Sequence, residues 1–143
     1  MASYYDSSFL LATLLDQPNS AKLVPLWDQE AIRVSSILLE AECVTVLRHV
    51  AAQLPPAAAA RFLAGRLDLL EQYLTGVTLK NHDAEVGQFL REEKRLGLCR
   101  TLDAIHLATA LLFQEQFETP LTICALDEQM RAVARDLGFL VAP

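Results

Sequence analysis

The sequence has little positive charge, and this shortage excludes one class of protein. It carries 12 Lys and Arg against 18 Asp and Glu, which gives a formal net charge of −6. A broad basic surface that would hold nucleic acid through phosphate contacts alone is therefore excluded. Any nucleic-acid role has to depend on a local site. Carboxylates gathered around such a site would themselves contribute surplus negative charge until a metal ion offset it.

Paired cysteine motifs, clustered glycines and long apolar runs are also missing. Cys43, Cys99 and Cys124 are far apart and have no C-x-x-C spacing, so neither a disulfide framework nor a zinc knuckle is indicated. The five glycines never cluster into a phosphate-cradling loop, which argues against a nucleotide-binding module. No apolar run reaches the roughly 18 residues that a membrane span requires, and the first residues carry no basic segment of a signal peptide. We therefore expect a cytoplasmic protein with no membrane span.

The chain of 143 residues is 52% hydrophobic, which is enough to fill one core, and we expect a single domain over residues 1–143. Short apolar segments alternate with longer stretches of helical periodicity. Strands are predicted at 3–6, 31–35, 76–79, 121–125 and 139–142. A helix follows Asp6, a second short helix covers 21–28, and longer helices cover 36–52, 55–73, 101–116 and 127–137, with another that is capped by Asn81 or Asp83 and runs to about Leu96. Ser35 or Ser36 is the expected N-cap of the 36–52 helix, Thr101 that of the 101–116 helix, and Gly97 closes the helix that runs to about Leu96. This alternation predicts an α/β fold with a mostly parallel sheet covered by helices on both faces.

Carboxylates fall at the carboxyl ends of the predicted strands or in the helices that follow. Asp6 closes the first strand, Glu40 and Glu42 lie in the helix after the second, Asp103 opens a later helix, and Asp127 follows the fourth strand. In mostly parallel sheets, ligands bind beyond the carboxyl ends of the strands. Hard divalent cations such as Mg²⁺ prefer oxygen ligands. The cluster therefore predicts metal-assisted phosphodiester hydrolysis, in which a cation polarises the phosphate and lowers the pKa of an attacking water.

Each acid also has an explanation that needs no chemistry. Asp127 stands where an ordinary helix N-cap would. Asp103 would interact favourably with the positive end of a helix dipole, and one of Glu40 and Glu42 could simply be solvated. Asp6 is harder to explain in this way, because an acid beside an apolar strand needs a partner once it is buried. The functional interpretation depends on the coincidence of these acids at one edge of the sheet.

Four blocks of the sequence carry a resemblance to a known family: YYDSSFLL, SSILLEAE, LDAIHLATAL and ALDEQMRAVARDLGFLVAP. In the same order they resemble the signature blocks of PIN domains, and the likeness is strongest to VapC-type toxins of bacterial toxin–antitoxin pairs. The resemblance implies a three-layer α/β/α fold with a parallel sheet of about five strands. It also implies Mg²⁺- or Mn²⁺-dependent endonuclease cleavage of single-stranded RNA, homodimerisation, and a small antitoxin partner that blocks the site.

Two blocks place the family's aspartates directly. In the first, the aspartate and the serine two residues later correspond to Asp6 and Ser8. In the third, Asp103 matches the aspartate and Ala104 the alanine after it, and His106 stands directly before the Leu-Ala-Thr-Ala run that includes Ala108. A histidine one turn into a helix, between apolar neighbours, is expected to make a structural hydrogen bond rather than to bind metal.

The second and fourth blocks complete the predicted site. Family spacing favours Glu42, six residues after Ser36, and Glu40 remains the alternative. Asp127 matches the family's fourth acid, but Ala125 stands where many members carry Thr or Ser, so a hydroxyl expected near the metal is missing. The resemblance thus implies one set of residues that are both catalytic and metal-binding: Asp6, Glu42, Asp103 and Asp127.

Two alternatives remain open. A phosphoryl-transfer enzyme or receiver domain would also use aspartates at strand ends with Mg²⁺. It usually needs a second Asp or a Lys beside the phosphate-accepting aspartate, and Asp6 is followed only by Ser7 and Ser8. The other alternative is a degenerate PIN domain that keeps the fold and acts as a non-catalytic binding module. The presence of all four acids argues against it, and Ala125 argues for it.

Overall fold

A sheet of five parallel strands forms the centre of the computed structural model, which describes residues 1–143. The strands are β1 (Ala2–Tyr5), β2 (Ile32–Ser36), β3 (Thr78–Lys80), β4 (Thr122–Cys124) and β5 (Leu140–Ala142). Their order is β3-β2-β1-β4-β5, so the chain builds outward from β1 to β3 and then crosses back to add β4 and β5 on the other side. The order reverses between β1 and β4, which is the place where open parallel sheets bind their ligands.

Seven α-helices connect the strands. They are α1 (Ser7–Leu14), α2 (Ser20–Gln29), α3 (Leu38–Ala51), α4 (Pro56–Thr75), α5 (Ala84–Glu92), α6 (Thr101–Phe117) and α7 (Glu128–Asp136), and a 3₁₀ helix covers Lys94–Leu98. Pro56 begins α4, because proline needs no hydrogen-bond partner in a first turn. No helix combines the length and the apolar character needed to cross a bilayer.

The central strand β1 sends neighbouring side chains into two different cores. Tyr4 is fully buried in a cluster with residues of α5, α6 and α7, whereas Tyr5 is fully buried in a cluster with residues of α1 to α4. This follows from the alternation of side chains along a strand. The sheet is therefore covered on both faces, and the predicted three-layer α/β/α fold with five parallel strands is confirmed.

One predicted helix boundary is wrong. The helix expected to run to Leu96 and to be closed by Gly97 ends at Glu92. The Glu93 backbone is extended, and its side chain accepts a hydrogen bond from the Arg95 backbone N–H, which starts the separate 3₁₀ helix. A capping acid inside the periodic segment thus ends the helix before glycine does.

Two predicted N-caps are also wrong. Ser36 is the last residue of β2, and Ile37 takes the N-cap position of α3 without a side-chain cap, although Ser36 Oγ accepts a hydrogen bond from Leu38 N. Thr101 is the first residue inside α6, and Arg100 occupies the cap position. The Arg100 side chain makes no cap hydrogen bond and is therefore available for other contacts.

Candidate metal centre and active site

All four predicted acids line one pocket at the carboxyl ends of β1 and β4. The pocket has a volume of about 410 Å³. Its walls come from the loops and helix starts that follow the strands, where backbone N–H groups and helix dipoles favour negative charge. The lining residues are Asp6, Ser7, Ser8, Leu11, Leu15, Gln17, Glu42, Val46, Arg100, Asp103, Leu126 and Asp127.

Asp6 is held at the end of β1 by its role as the N-cap of α1. Its Oδ2 accepts hydrogen bonds from Ser8 N at 3.1 Å and from Ser8 Oγ at 2.5 Å. Ser8 Oγ in turn accepts the Leu126 N–H at 2.9 Å, which ties the end of β4 to the start of α1. Asp6 is only 3% exposed, and its Oδ1 accepts no hydrogen bond. One oxygen is thus committed to structure and the other is left for the pocket.

Glu42 enters the pocket from α3, and Glu40 does not. Glu42 Oε2 accepts a hydrogen bond from Ser7 Oγ at 3.2 Å, and its Oε1 lies 2.5 Å from His106 Nε2. Glu40 is exposed and lines a separate cavity between α3 and α4, together with Arg48. Residues two positions apart in an α-helix point about 200° away from each other around its axis, so only one of Glu40 and Glu42 faces the pocket.

His106 connects this glutamate to the interior of the sheet. The ring is fully buried, and Tyr4 Oη lies 2.7 Å from its Nδ1. Because the Glu42 carboxylate can only accept a hydrogen bond, His106 Nε2 carries the proton that points at it. In a neutral His106, Nδ1 is then the acceptor, so Tyr4 Oη donates to Nδ1 while it accepts the Ser36 N–H at 3.0 Å. Burial disfavours the charged ring, but the Glu42 hydrogen bond and the nearby Asp6 charge outweigh it and raise the pKa of His106.

The sequence predicts a hydrogen bond for His106 but not its partner, which is an acid of the candidate site. The His106 ring also lies 3.7 Å from Asp6 Oδ1. Ligand atoms of Asp6, Glu42 and His106 all lie within 4.8 Å of one another. A contact between α3 and α6, which are distant in sequence, leaves no local pattern from which it could be predicted.

Asp103 and Asp127 form the other side of the pocket. Asp127 caps α7 through Oδ1, which accepts the Met130 N–H at 2.8 Å. Asp103 lies in the first turn of α6 with its side chain 13% exposed, and burial raises its pKa although Arg100 acts in the opposite direction. Arg100 contacts both acids: its Nε lies 3.1 Å from Asp103 Oδ2 and its Nη2 lies 3.4 Å from Asp127 Oδ2.

The residues present fit a hard divalent cation. Four carboxylates at one pocket supply the oxygen ligands that Mg²⁺ and Mn²⁺ prefer. A carboxylate as buried as Asp6 needs a compensating charge, and its hydrogen bonds satisfy only Oδ2. The same carboxylates repel an anionic ligand such as a phosphate as long as no cation offsets them.

Ala125 stands where many family members carry Thr or Ser. Its side chain is fully buried in the core cluster with residues of α6 and α7, and it does not line the pocket. The effect of the absent hydroxyl on metal binding stays a prediction. Arg100 is the functional candidate that the sequence interpretation missed, because its contact with Asp127 joins residues from two different loops.

Comparison with known proteins identifies the family. The sequence model of the PIN-domain family matches residues 3–136. No curated protein sequence matches the chain. The fold is similar to that of a chain in the crystal structure of VapBC2 from Rickettsia felis bound to a DNA fragment from their promoter. The TM-score is 0.63 at 12% sequence identity, and the alignment covers 99% of this chain and 98% of that one. Because the family model spans nearly all of its length, this chain belongs to the PIN-domain family.

Proposed function

We propose that this chain is an endoribonuclease that hydrolyses single-stranded RNA with Mg²⁺ or Mn²⁺. The observation that supports this function best is the arrangement of Asp6, Glu42, Asp103 and Asp127 around one pocket at the end of the sheet. Membership of the PIN-domain family supports it independently. In this proposal all four acids are catalytic residues that hold the metal.

Hydrogen bonds from neighbouring side chains hold two of the four carboxylates in position. Ser8 fixes the Asp6 carboxylate through two hydrogen bonds, and His106 and Ser7 fix the two oxygens of Glu42. A divalent cation held by the acids would offset their charge, polarise the scissile phosphate and lower the pKa of the attacking water. The protein's own contribution is to hold the carboxylates in place before RNA arrives, so that no reorganisation is needed during the reaction.

We also propose that the protein is the toxin of a cytoplasmic toxin–antitoxin pair, folded as a single domain and forming a homodimer. The four PIN blocks that resemble VapC-type toxins support this role, whereas the likeness to a VapBC2 chain supports only the fold. A small antitoxin would inhibit by placing an Arg or Lys side chain among the carboxylates, since crowded like charges attract a cation. Co-purification with the product of the adjacent gene tests the pair, and light scattering tests the dimer. A complex whose interface lies far from Asp6 would refute this mode of inhibition.

The activity is tested by RNA cleavage with purified, antitoxin-free protein. We expect cleavage of single-stranded RNA in Mg²⁺ or Mn²⁺ and none in EDTA. Asp6→Asn preserves the shape of the side chain but removes one formal charge from the site, so the rate should fall by orders of magnitude, while circular dichroism shows the same fold. Cleavage that survives both EDTA and Asp6→Asn would contradict the mechanism. A folded wild type that cleaves no RNA and binds no Mn²⁺ in calorimetry would favour the degenerate, non-catalytic binding module.

A further inference from the structure

Arg100 is the only basic residue among those that line the pocket. Its side chain is 74% exposed, and it forms ion pairs with Asp103 and Asp127 at the pocket's mouth. In a chain with a net charge of −6, a single cation beside four carboxylates strongly affects how the pocket attracts either a metal ion or a phosphate.

Arg100 contacts the one oxygen that Asp127 has left for a metal and one of the two oxygens of Asp103. Asp127 Oδ1 is committed to the cap of α7, so Oδ2 is the oxygen with which Asp127 reaches a cation in the pocket. Arg100 Nη2 lies 3.4 Å from this Oδ2, and Arg100 Nε lies 3.1 Å from Asp103 Oδ2. The guanidinium and a divalent cation therefore compete for Asp127 Oδ2 and for the charge of the Asp103 carboxylate.

A divalent cation can displace Arg100 from these carboxylates. Ion pairs of exposed side chains are weak, because water screens them and two long side chains must be ordered. Arg100 lies at the N-cap position of α6 without a side-chain cap bond, so its release breaks no other hydrogen bond. The released guanidinium remains attached to the rim of the pocket, where its planar fork matches the geometry of a phosphate group.

We propose that Arg100 is a mobile counter-ion of this site: it pairs with Asp103 and Asp127 in the metal-free protein, and after metal binding it turns to a phosphate of the RNA. This inference rests on the proposed nuclease function. It assigns Arg100 as a substrate-binding residue for a phosphate, whereas an ordinary surface ion pair would have no effect on either ligand.

The first measurement is Mn²⁺ binding by calorimetry to the wild type, Arg100→Gln and Arg91→Gln. Arg91 is the matched control because it is an exposed residue of α5 outside the pocket, so its replacement changes the net charge by the same amount. We expect Arg100→Gln to bind Mn²⁺ roughly two- to fivefold more tightly than Arg91→Gln, because a weak competing ion pair is removed. Equal or weaker binding by Arg100→Gln would overturn the proposal.

The second measurement is the binding of a fluorescently labelled single-stranded RNA in Ca²⁺, followed by anisotropy at several salt concentrations. Arg100→Gln should bind more weakly than Arg91→Gln, and its slope of log affinity against log salt should be smaller by about 0.7, the value for one phosphate contact to a single strand. Arg100→Lys should keep most of the salt slope but lose affinity, because a point charge replaces the fork. RNA binding that is the same in Arg100→Gln and Arg91→Gln would overturn the proposal.

The wild type separates failure of this inference from failure of the proposed function. A wild type that binds Mn²⁺ and cleaves RNA, with Arg100→Gln indistinguishable from Arg91→Gln in both measurements, refutes the role of Arg100 alone. A folded wild type without Mn²⁺ binding or cleavage refutes the nuclease function and the role of Arg100 with it.

Discussion

Asp6 and Asp127 each divide their two carboxylate oxygens between structure and the pocket. Asp6 uses Oδ2 to cap α1, and Asp127 uses Oδ1 to cap α7. The structural explanation of Asp127 as an ordinary N-cap is therefore correct as far as it goes, and it does not compete with a role in metal binding. The cap fixes the position of each carboxylate, so that the second oxygen of each residue remains directed at the pocket.

The two roles of Asp127 can be separated by two substitutions. Asn caps a helix about as well as Asp, so Asp127→Asn should keep the free energy of unfolding within a few tenths of a kcal/mol, whereas Asp127→Ala should lose about 1 kcal/mol. Both variants should bind Mn²⁺ more weakly than the wild type, because both remove the charge of one ligand. Urea denaturation and calorimetry measure the two effects. Wild-type Mn²⁺ affinity in Asp127→Asn would mean that Asp127 serves only as a cap.

Single residues also show where prediction from the sequence stops. The positions of Asp6 and Asp127 could be predicted, because an acid at the end of an apolar strand is a local pattern. The choice between Glu40 and Glu42 needed either family spacing or the helix orientation, since both lie in the same predicted helix. The contact of His106 with Glu42, 64 residues apart, and that of Arg100 with Asp127 are determined by the packing of α3, α6 and α7, which no short segment encodes.

The strand β1 connects the candidate site to both cores. On one face, Tyr4 links the Ser36 backbone to His106 and, through it, to Glu42. On the other face, Tyr5 packs against Phe9 and Trp27, and its buried Oη has no oxygen or nitrogen partner and only the weakly bonding thiol of Cys124 beside it. Both tyrosines are fully buried, but only the Tyr4 hydroxyl connects other residues through hydrogen bonds.

This difference predicts that the same substitution has a large effect at Tyr4 and a small one at Tyr5. Tyr4→Phe should cost about 1–3 kcal/mol in the free energy of unfolding, because it leaves the buried Ser36 N–H and His106 Nδ1 unpaired. Tyr5→Phe is the matched control, and its effect should stay within about 0.5 kcal/mol because it removes only the weak contact of the hydroxyl with the Cys124 thiol. Urea denaturation of both variants decides the question. Equal losses of stability would contradict the hydrogen-bond chain from Ser36 to Glu42.

Most elements could be predicted from periodicity alone, with boundaries that differ by a few residues. All five strands were predicted because short apolar segments bounded by turn residues indicate buried parallel strands. The end of α5 was missed because periodicity continues into the 3₁₀ helix, while the break depends on the side chain of Glu93. Strand order was beyond the residue pattern, since the crossover between β3 and β4 depends on which faces pack together.

For the chain as a whole, the net charge of −6 and the acidic pocket have one common consequence. A phosphate anion is repelled by such a pocket unless a cation offsets the carboxylates, so in the proposed function RNA binding and hydrolysis both depend on metal binding. The candidate site also lies at the reversal of strand order between β1 and β4, where helix N-termini gather. The strand order and the placement of the acidic residues therefore both favour this pocket as the functional site.

The most direct test of this account compares two glutamates of the same helix. Glu42→Gln and Glu40→Gln are the same chemical change two residues apart, and only Glu42 lines the pocket. Single-stranded RNA cleavage in Mn²⁺ should fall at least on the order of a hundredfold in Glu42→Gln, because a charged group of the metal site is lost. It should remain at the wild-type rate in Glu40→Gln. Wild-type cleavage by Glu42→Gln, or loss of cleavage in Glu40→Gln with the fold intact, would contradict the account.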